Sequence, residues 1–186
     1  MTVQSCNLCP YNHRMQRTDF SQAHCPIART LDLVGEWWSL LIIREAFHGV
    51  TRYDEFQQRL GISRNALTDR LKKLVDGGVL TRRPVAEGAK REEYVLTGMG
   101  EDLMTVVLAM LQWGDRWLVL PGKPLSRMVE TATGRAVATL QVMSCDGRPL
   151  SRADVGVIAA PGHADPALLS EAGAAPELSV ALPKAR

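Results

Sequence analysis

The chain has 186 residues, 46% of them hydrophobic, which is enough for one packed domain with an appendage and excludes global disorder. Its 22 basic and 20 acidic residues nearly cancel, giving a net charge of +2, so the whole-chain charge names no partner. No basic start followed by an apolar core marks a signal peptide, and the apolar runs around Leu40 and Val106 are too short to span a membrane, so a cytoplasmic protein without a membrane role is expected.

Residues 1–24 are polar and aperiodic and read as a flexible N-terminal arm. Cys6, Cys9 and His13 lie there, with His24 and Cys25 at its end. In a reducing compartment such cysteines are reduced, metal-bound or redox-active rather than structural disulfides. A second close ligand pair is missing, so no metal or other cofactor is assigned.

Cys25-Pro26 opens the first helix, with Ile27, Leu31 and Val34 on one face. Cys25 then stands at the N-cap, where free backbone N–H groups and the helix dipole favour a thiolate and make it a target for oxidants and electrophiles. The competing reading is an inert, buried cysteine that only caps the helix. Gly35 separates this helix from a nearly all-apolar one over residues 37–47, expected to be central and buried. Trp37 and Trp38 are expected in the core, or as walls of a ligand pocket. Thr51 is expected to cap the next helix.

Residues 53–60 form a short helix, joined through Gly61 and Ile62 to a second helix over residues 63–76. Ser63 is its N-cap, Leu67, Leu71, Leu74 and Val75 make an apolar stripe, and Gly77 and Gly78 end it. The opposite face carries Asn65, Asp69, Lys72 and Lys73, flanked by Arg64 and Thr68. A polar face of this kind suits a helix laid in a DNA major groove. Asp69 fits there by accepting from a cytosine amino group or by orienting Arg70. Two strands follow, over residues 79–83 and 92–96, around a loop with Pro84 and Gly88. Arg82, Arg83, Lys90 and Arg91 flank the loop tip, where they would meet the DNA backbone or minor groove. From residue 64 to 91 there are eight basic residues against three acidic ones, a local excess of +5 in a chain that is only +2 overall.

Residues 97–120 are expected to form the longest helix, capped by Thr97, with Leu103, Val106, Val107, Met110, Gly114, Trp117 and Leu118 on one stripe and Trp113 beside it. So small a domain cannot cover that stripe, and pairing with a second copy would. Pro121 to Pro124 mark a boundary. Residues 125–160 read as a small β appendage, with strands at 135–143 and 155–158 and a turn at Asp146-Gly147. Residues 161–186 are Ala- and Pro-rich and are expected not to fold.

The pieces CPIARTLDLVGEWWSLLIIREAFHG, TRYDEFQQRLGISRNALTDRLKKLVDGGVLTRR and REEYVLTGMGEDLMTVVLAMLQWGDRW, in that order, resemble the HxlR family of bacterial winged-helix transcription regulators, relatives of the MarR-like regulators. The resemblance spans residues 25–120, about half the chain. It implies an α+β, mainly α fold: a winged helix-turn-helix domain with a long C-terminal dimerisation helix and a small β appendage. It also implies a homodimer on a palindromic operator, often a repressor, with double-stranded DNA as partner and a small molecule or electrophile as effector. The place of Cys25 resembles that of the sensing cysteine in thiol-based members. A variant of this reading replaces thiol chemistry with a non-covalent ligand held against Trp37, Trp38 and Trp113. A thiol oxidoreductase using Cys6 and Cys9 is disfavoured, because no βαβ pattern surrounds them and no nucleophile-base set appears, so the chain is not expected to be an enzyme. A winged-helix interaction module without DNA binding is disfavoured by the +5 stretch.

Overall fold

The computed structural model describes residues 19–23, 25–86, 91–119 and 127–156. The expected arm cysteines Cys6 and Cys9, His13, His24, Lys90 and the tail 161–186 lie outside the described residues. The chain divides into two compact units, one running to Glu101 and the other from Asp102.

In the first unit, α1 (Pro26–Val34) and α2 (Trp37–Phe47) are followed by α3 (Tyr53–Leu60), α4 (Arg64–Asp76), an antiparallel hairpin of β1 (Leu80–Pro84) and β2 (Glu92–Leu96), and the short α5 (Gly98–Glu101). This is a winged helix-turn-helix, mainly helical with one two-stranded sheet. The tight turn between α3 and α4 works because Gly61 takes a left-handed conformation (φ 64°) that a side chain disfavours. Ile62 beside it is buried. Val34, Ile42, Ile43, Val50, Phe56, Ile62, Leu67, Leu71, Leu74, Val79 and Leu80 make the core of this unit. Each is worth about 1.5–3 kcal/mol of burial. The expected apolar stripe of α4 supplies three of them, and Val75 is half-buried.

Two expectations for α2 and its neighbour fail. Trp37 is not core: it is 74% exposed, because the buried side of α2 is set by Ser39, Ile42, Ile43 and Glu45, and the first helical residue falls off that side. Thr51 does not cap α3, whose N-cap is Arg52 without a side-chain bond. Instead Thr51 acts on the wing: its carbonyl accepts from Tyr94 N at 2.8 Å, and its hydroxyl donates to Glu93 at 3.2 Å.

The single helix expected over residues 97–120 is two helices, α5 and, in the second unit, α6 (Met104–Trp117), with a turn at Asp102 and Leu103. Thr97 caps as expected, but it caps α5, accepting from Gly100 N at 3.1 Å. Two glycines in that one turn weaken it as helix by about 1 kcal/mol each. Gly100 is nonetheless required, since a Cβ there would lie 2.2 Å from the Val79 carbonyl oxygen.

In the second unit the strand expected at 135–143 forms no ladder with another described residue run, and Val155 and Gly156 of the strand expected at 155–158 are not in a strand. Residues 128–137 and 142–150 make two short hairpins held by a few bonds, with single bridges Val129–Ala136 and Met143–Pro149, and Arg152–Asp154 is one turn of 3-10 helix. The Asp146-Gly147 turn is present, with Gly147 left-handed at φ 81°. The backbone at 138–140 finds its partner in a side chain: Gln112 of α6 donates to Ala138 O at 2.9 Å and accepts from Leu140 N at 2.8 Å. Residues 157 and 158 lie outside the described residues.

Candidate nucleic-acid interface

The outer face of α4 is built from its first turn. Ser63 caps the helix, its hydroxyl accepting from Ala66 N at 3.3 Å. From α3, Tyr53 Oη donates to the Arg64 carbonyl at 2.9 Å and lies 3.1 Å from Thr68 Oγ1. Sequence reasoning missed Tyr53: it sits 15 residues from Thr68, and no local pattern links them. Ser63, Arg64, Asn65, Thr68, Asp69 and Lys72 are all exposed. Lys72 pairs with Asp76 one turn on at 3.1 Å, both largely in solvent, where such a pair is worth only a few tenths of a kcal/mol and yields readily to another anion. Asp69 makes no ion pair with another described residue.

Two of the basic residues point elsewhere. Lys73, expected on the exposed face, is half-buried and donates to the backbone carbonyl of Asp32 in the last turn of α1, with the Asp32 carboxylate 3.8 Å away. Arg70 is not oriented by Asp69. Its guanidinium lies 3.6 Å from the carboxylate of Glu36, the N-cap residue of α2. The outer face of α4 is therefore less basic than its composition.

The wing shows the same partial neutralisation. Antiparallel register sets Arg82 opposite Tyr94 and Arg83 opposite Glu93. Arg82 stacks over the Tyr94 ring at 5.5 Å and lies 3.9 Å from Glu92. Arg83 Nε donates to Glu93 at 2.5 Å, and this bond holds the Glu93 carboxyl below the usual carboxylate range. Both arginines remain exposed, as does Arg91. The local excess of +5 stops one residue short of Glu92 and Glu93, which take up part of it.

Behind α4, the end of α2 holds a buried carboxylate that sequence reasoning took for an exception on an apolar helix. Glu45 accepts from Arg44 at 2.6 and 3.1 Å and from Arg59 of α3 at 2.7 Å. These bonds tie α2 to the helix that precedes the recognition turn.

The expected sensing and pocket residues lie on other surfaces. Cys25 is the N-cap of α1, in extended conformation and exposed, with no hydrogen bond from its side chain into the helix. The expectation of a buried Cys25 is thereby overturned. Two turns of α1 carry the exposed Ile27 and Leu31. Trp37 meets Trp38 edge to face, ring centroids 6.1 Å apart. Trp113 belongs to the second unit and is 58% exposed. No group of three or more His, Cys, Asp or Glu placed to hold a metal occurs among the described residues. No helix among them is long and apolar enough to cross a membrane.

Residues 33–120 match a family model described as HxlR-like helix-turn-helix. The chain is 45% identical over 98 residues to an uncharacterised HTH-type transcriptional regulator of Mycobacterium tuberculosis, Rv3095, an alignment covering 53% of this chain and 62% of that protein. It is 38% identical over 101 residues to another, sll1512 of Synechocystis, covering 53% of this chain and 75% of that one. The chain thus spans about three fifths of the length of the first of these relatives. Among solved structures it is similar to PA1607, a candidate transcription factor, with 43% identity and a TM-score of 0.72 over 76% of this chain and 99% of that one. A second, PA1374 of Pseudomonas aeruginosa, gives 41% identity and a TM-score of 0.55 over 76% and 97%.

Proposed function

Because this chain belongs to the HxlR-like helix-turn-helix family, we propose that it regulates transcription by binding double-stranded DNA as a homodimer. In this reading α4 lies in the major groove. Arg64 and Lys72 meet phosphates, while Asn65, Thr68 and Asp69 face base edges. Arg82, Arg83, Lys90 and Arg91 of the wing contact the flanking backbone. The observation that carries the reading is the outer face of α4, polar and exposed along its length, with its first turn anchored by Ser63 and Tyr53.

The homodimer is supported by apolar side chains left in solvent by one copy. On α1 these are Ile27 and Leu31, and on α6 they include Val106, Met110, Trp113 and Trp117. A twofold dimer would read a palindromic operator with half-sites about 34 Å apart, and a bound dimer at a promoter would repress. The proposed trigger is modification of Cys25, exposed at the start of α1, which would bias one dimer geometry over another. An alternative effector is a non-covalent small molecule held against Trp37, Trp38 and Trp113, supported by the edge-to-face contact of exposed Trp37 with half-buried Trp38.

The test is binding to duplex DNA across a salt series, before and after treatment with a thiol-directed electrophile. DNA binding predicts a linear fall of log affinity with log salt, and Lys72→Ala lowers that slope by about one. Affinity that ignores salt rejects the DNA reading. Release of the wild type but not of Cys25→Ser assigns the switch to Cys25, whereas release of both rejects that assignment.

A further inference from the structure

Arg70 and Lys73 are basic residues of a helix read here as DNA-contacting, yet neither presents its charge outward. They stand three residues apart, on one side of α4, and both reach back to the corner between α1 and α2. Lys73 donates to the carbonyl of Asp32 in the last turn of α1. Arg70 meets Glu36, the N-cap residue of α2. Asp32 and Glu36 flank Gly35, so the two contacts grip the corner from both sides. Arg70 is drawn in far enough that its Nε is buried without a hydrogen-bond partner among the described residues, an arrangement that a freely solvated arginine avoids.

We propose that Arg70 and Lys73 are positioning residues that fix the angle of α4 from the α1–α2 corner, rather than contacts to DNA. This rests on the reading of α4 as the recognition helix. These contacts act beside the buried Leu67, Leu71 and Leu74 in setting how α4 meets the groove. Any rotation of α1 against α2 pulls unequally on the Lys73–Asp32 and Arg70–Glu36 contacts and is passed to the outer face of α4.

Simple electrostatics and positioning predict opposite signs here. Asp32 and Glu36 are acidic, and removing acidic charge near DNA strengthens binding if charge is all that matters. The experiment measures affinity of the full chain for a mixed-sequence duplex of about 30 base pairs across a salt series. The variants are Asp32→Asn/Glu36→Gln, Lys73→Met and, as control, Lys72→Met, each checked by its unfolding midpoint. Positioning predicts that the double variant, in which Arg70 loses the Glu36 charge and Lys73 keeps only the Asp32 backbone carbonyl, binds about threefold more weakly despite losing two negative charges. It also predicts that Lys73→Met binds more weakly while keeping the wild-type salt slope. Equal or tighter binding by the double variant overturns the proposal, as does a slope that falls by about one in Lys73→Met. Should the double variant unfold, Glu36→Gln alone is read by the same signs. Lys72→Met separates the two levels: a slope reduced by about one there upholds α4 as the DNA-contacting helix whichever way Lys73 falls. An unchanged slope in Lys72→Met, with no change in the other variants, rejects that reading and this proposal with it.

Discussion

Tyr53 and Thr68 share one hydrogen-bond chain across the helix-turn-helix. The phenolic proton of Tyr53 goes to the Arg64 carbonyl, so the Thr68 hydroxyl, 3.1 Å away, is the donor to Tyr53 Oη. The Thr68 hydroxyl is thereby oriented, and the first turn of α4 is tied to α3. Tyr53→Phe removes both bonds and leaves the ring in place. It is expected to cost about 0.5–1.5 kcal/mol in chemical unfolding. The larger effect is expected in discrimination between DNA sequences, because a freed Thr68 hydroxyl can turn to more than one base. A sequence preference identical to wild type in a selection from random duplexes would show that Thr68 needs no such support.

What could be read in advance was local. The 3.6-residue spacing of Leu67, Leu71 and Leu74, the cap at Ser63 and the glycine at 61 fix α4 and its turn without reference to the rest of the chain. The wing was legible for the same reason. What was not legible depends on which residue faces which across the fold. Lys72 and Lys73 are chemically alike and adjacent, yet one is in solvent and the other holds a carbonyl 41 residues away. The pairing of Arg83 with Glu93 follows from strand register, and a count of charge along the chain does not contain it. The exposure of Trp37 follows from which side of α2 meets α4. The break at Asp102 shows the same limit: an unbroken apolar stripe says where a helix would be favourable, while the close approach of Gly100 to Val79 is a tertiary demand that interrupts it.

Glu45 gives the fold a dependence on acid. Burial acts to raise its carboxyl, but the hydrogen bonds and charges of Arg44 and Arg59 outweigh burial and hold it below the ordinary glutamate range. A carboxyl depressed in the folded state contributes stability that is present above its unfolded value and lost as pH falls through its folded one. Glu45→Gln is therefore expected to destabilise the domain by about 1–3 kcal/mol near neutrality. It should also flatten the loss of stability on acidification below the ordinary glutamate range. Denaturant midpoints of both proteins across that window check it, and parallel curves would remove Glu45 as the cause.

Ser39 is the opposite case, a hydroxyl fully buried in α2 with no hydrogen-bond partner among the described residues. An unpaired buried polar group carries a desolvation cost, and alanine is also the better helix former by about 0.5 kcal/mol. Ser39→Ala is expected to leave stability unchanged or raise it by up to about 1–2 kcal/mol. A clear loss in thermal unfolding would mean that the hydroxyl is satisfied in solution.

Gly100 should tolerate no side chain. The position is buried, its ideal Cβ would sit 2.2 Å from the Val79 carbonyl oxygen and 2.9 Å from Leu96, and the first obstacle is backbone. Gly100→Ala is expected to destabilise by about 1–3 kcal/mol even though alanine favours helix. Gly98, where a Cβ meets nothing, is the control: Gly98→Ala should be neutral or stabilising. Equal behaviour of the two variants would reject the close approach of α5 to the start of the wing.

The exposed side of α1 makes the last prediction. Ile27 at 70% and Leu31 at 55% exposure lie one turn apart, so they form one apolar strip on the surface. If that strip is covered by a second copy, a charge there is buried against apolar surface at the interface and costs several kcal/mol, while in a monomer it costs almost nothing. Leu31→Glu is therefore expected to halve the mass seen by sedimentation at micromolar concentration, to leave the α-helical signal intact, and to weaken DNA binding by removing one half-site from each complex. A monomeric wild type would remove the strip from the dimer, and a Leu31→Glu protein that stays dimeric would assign dimerisation to other surfaces, with the exposed side of α6 next to be altered.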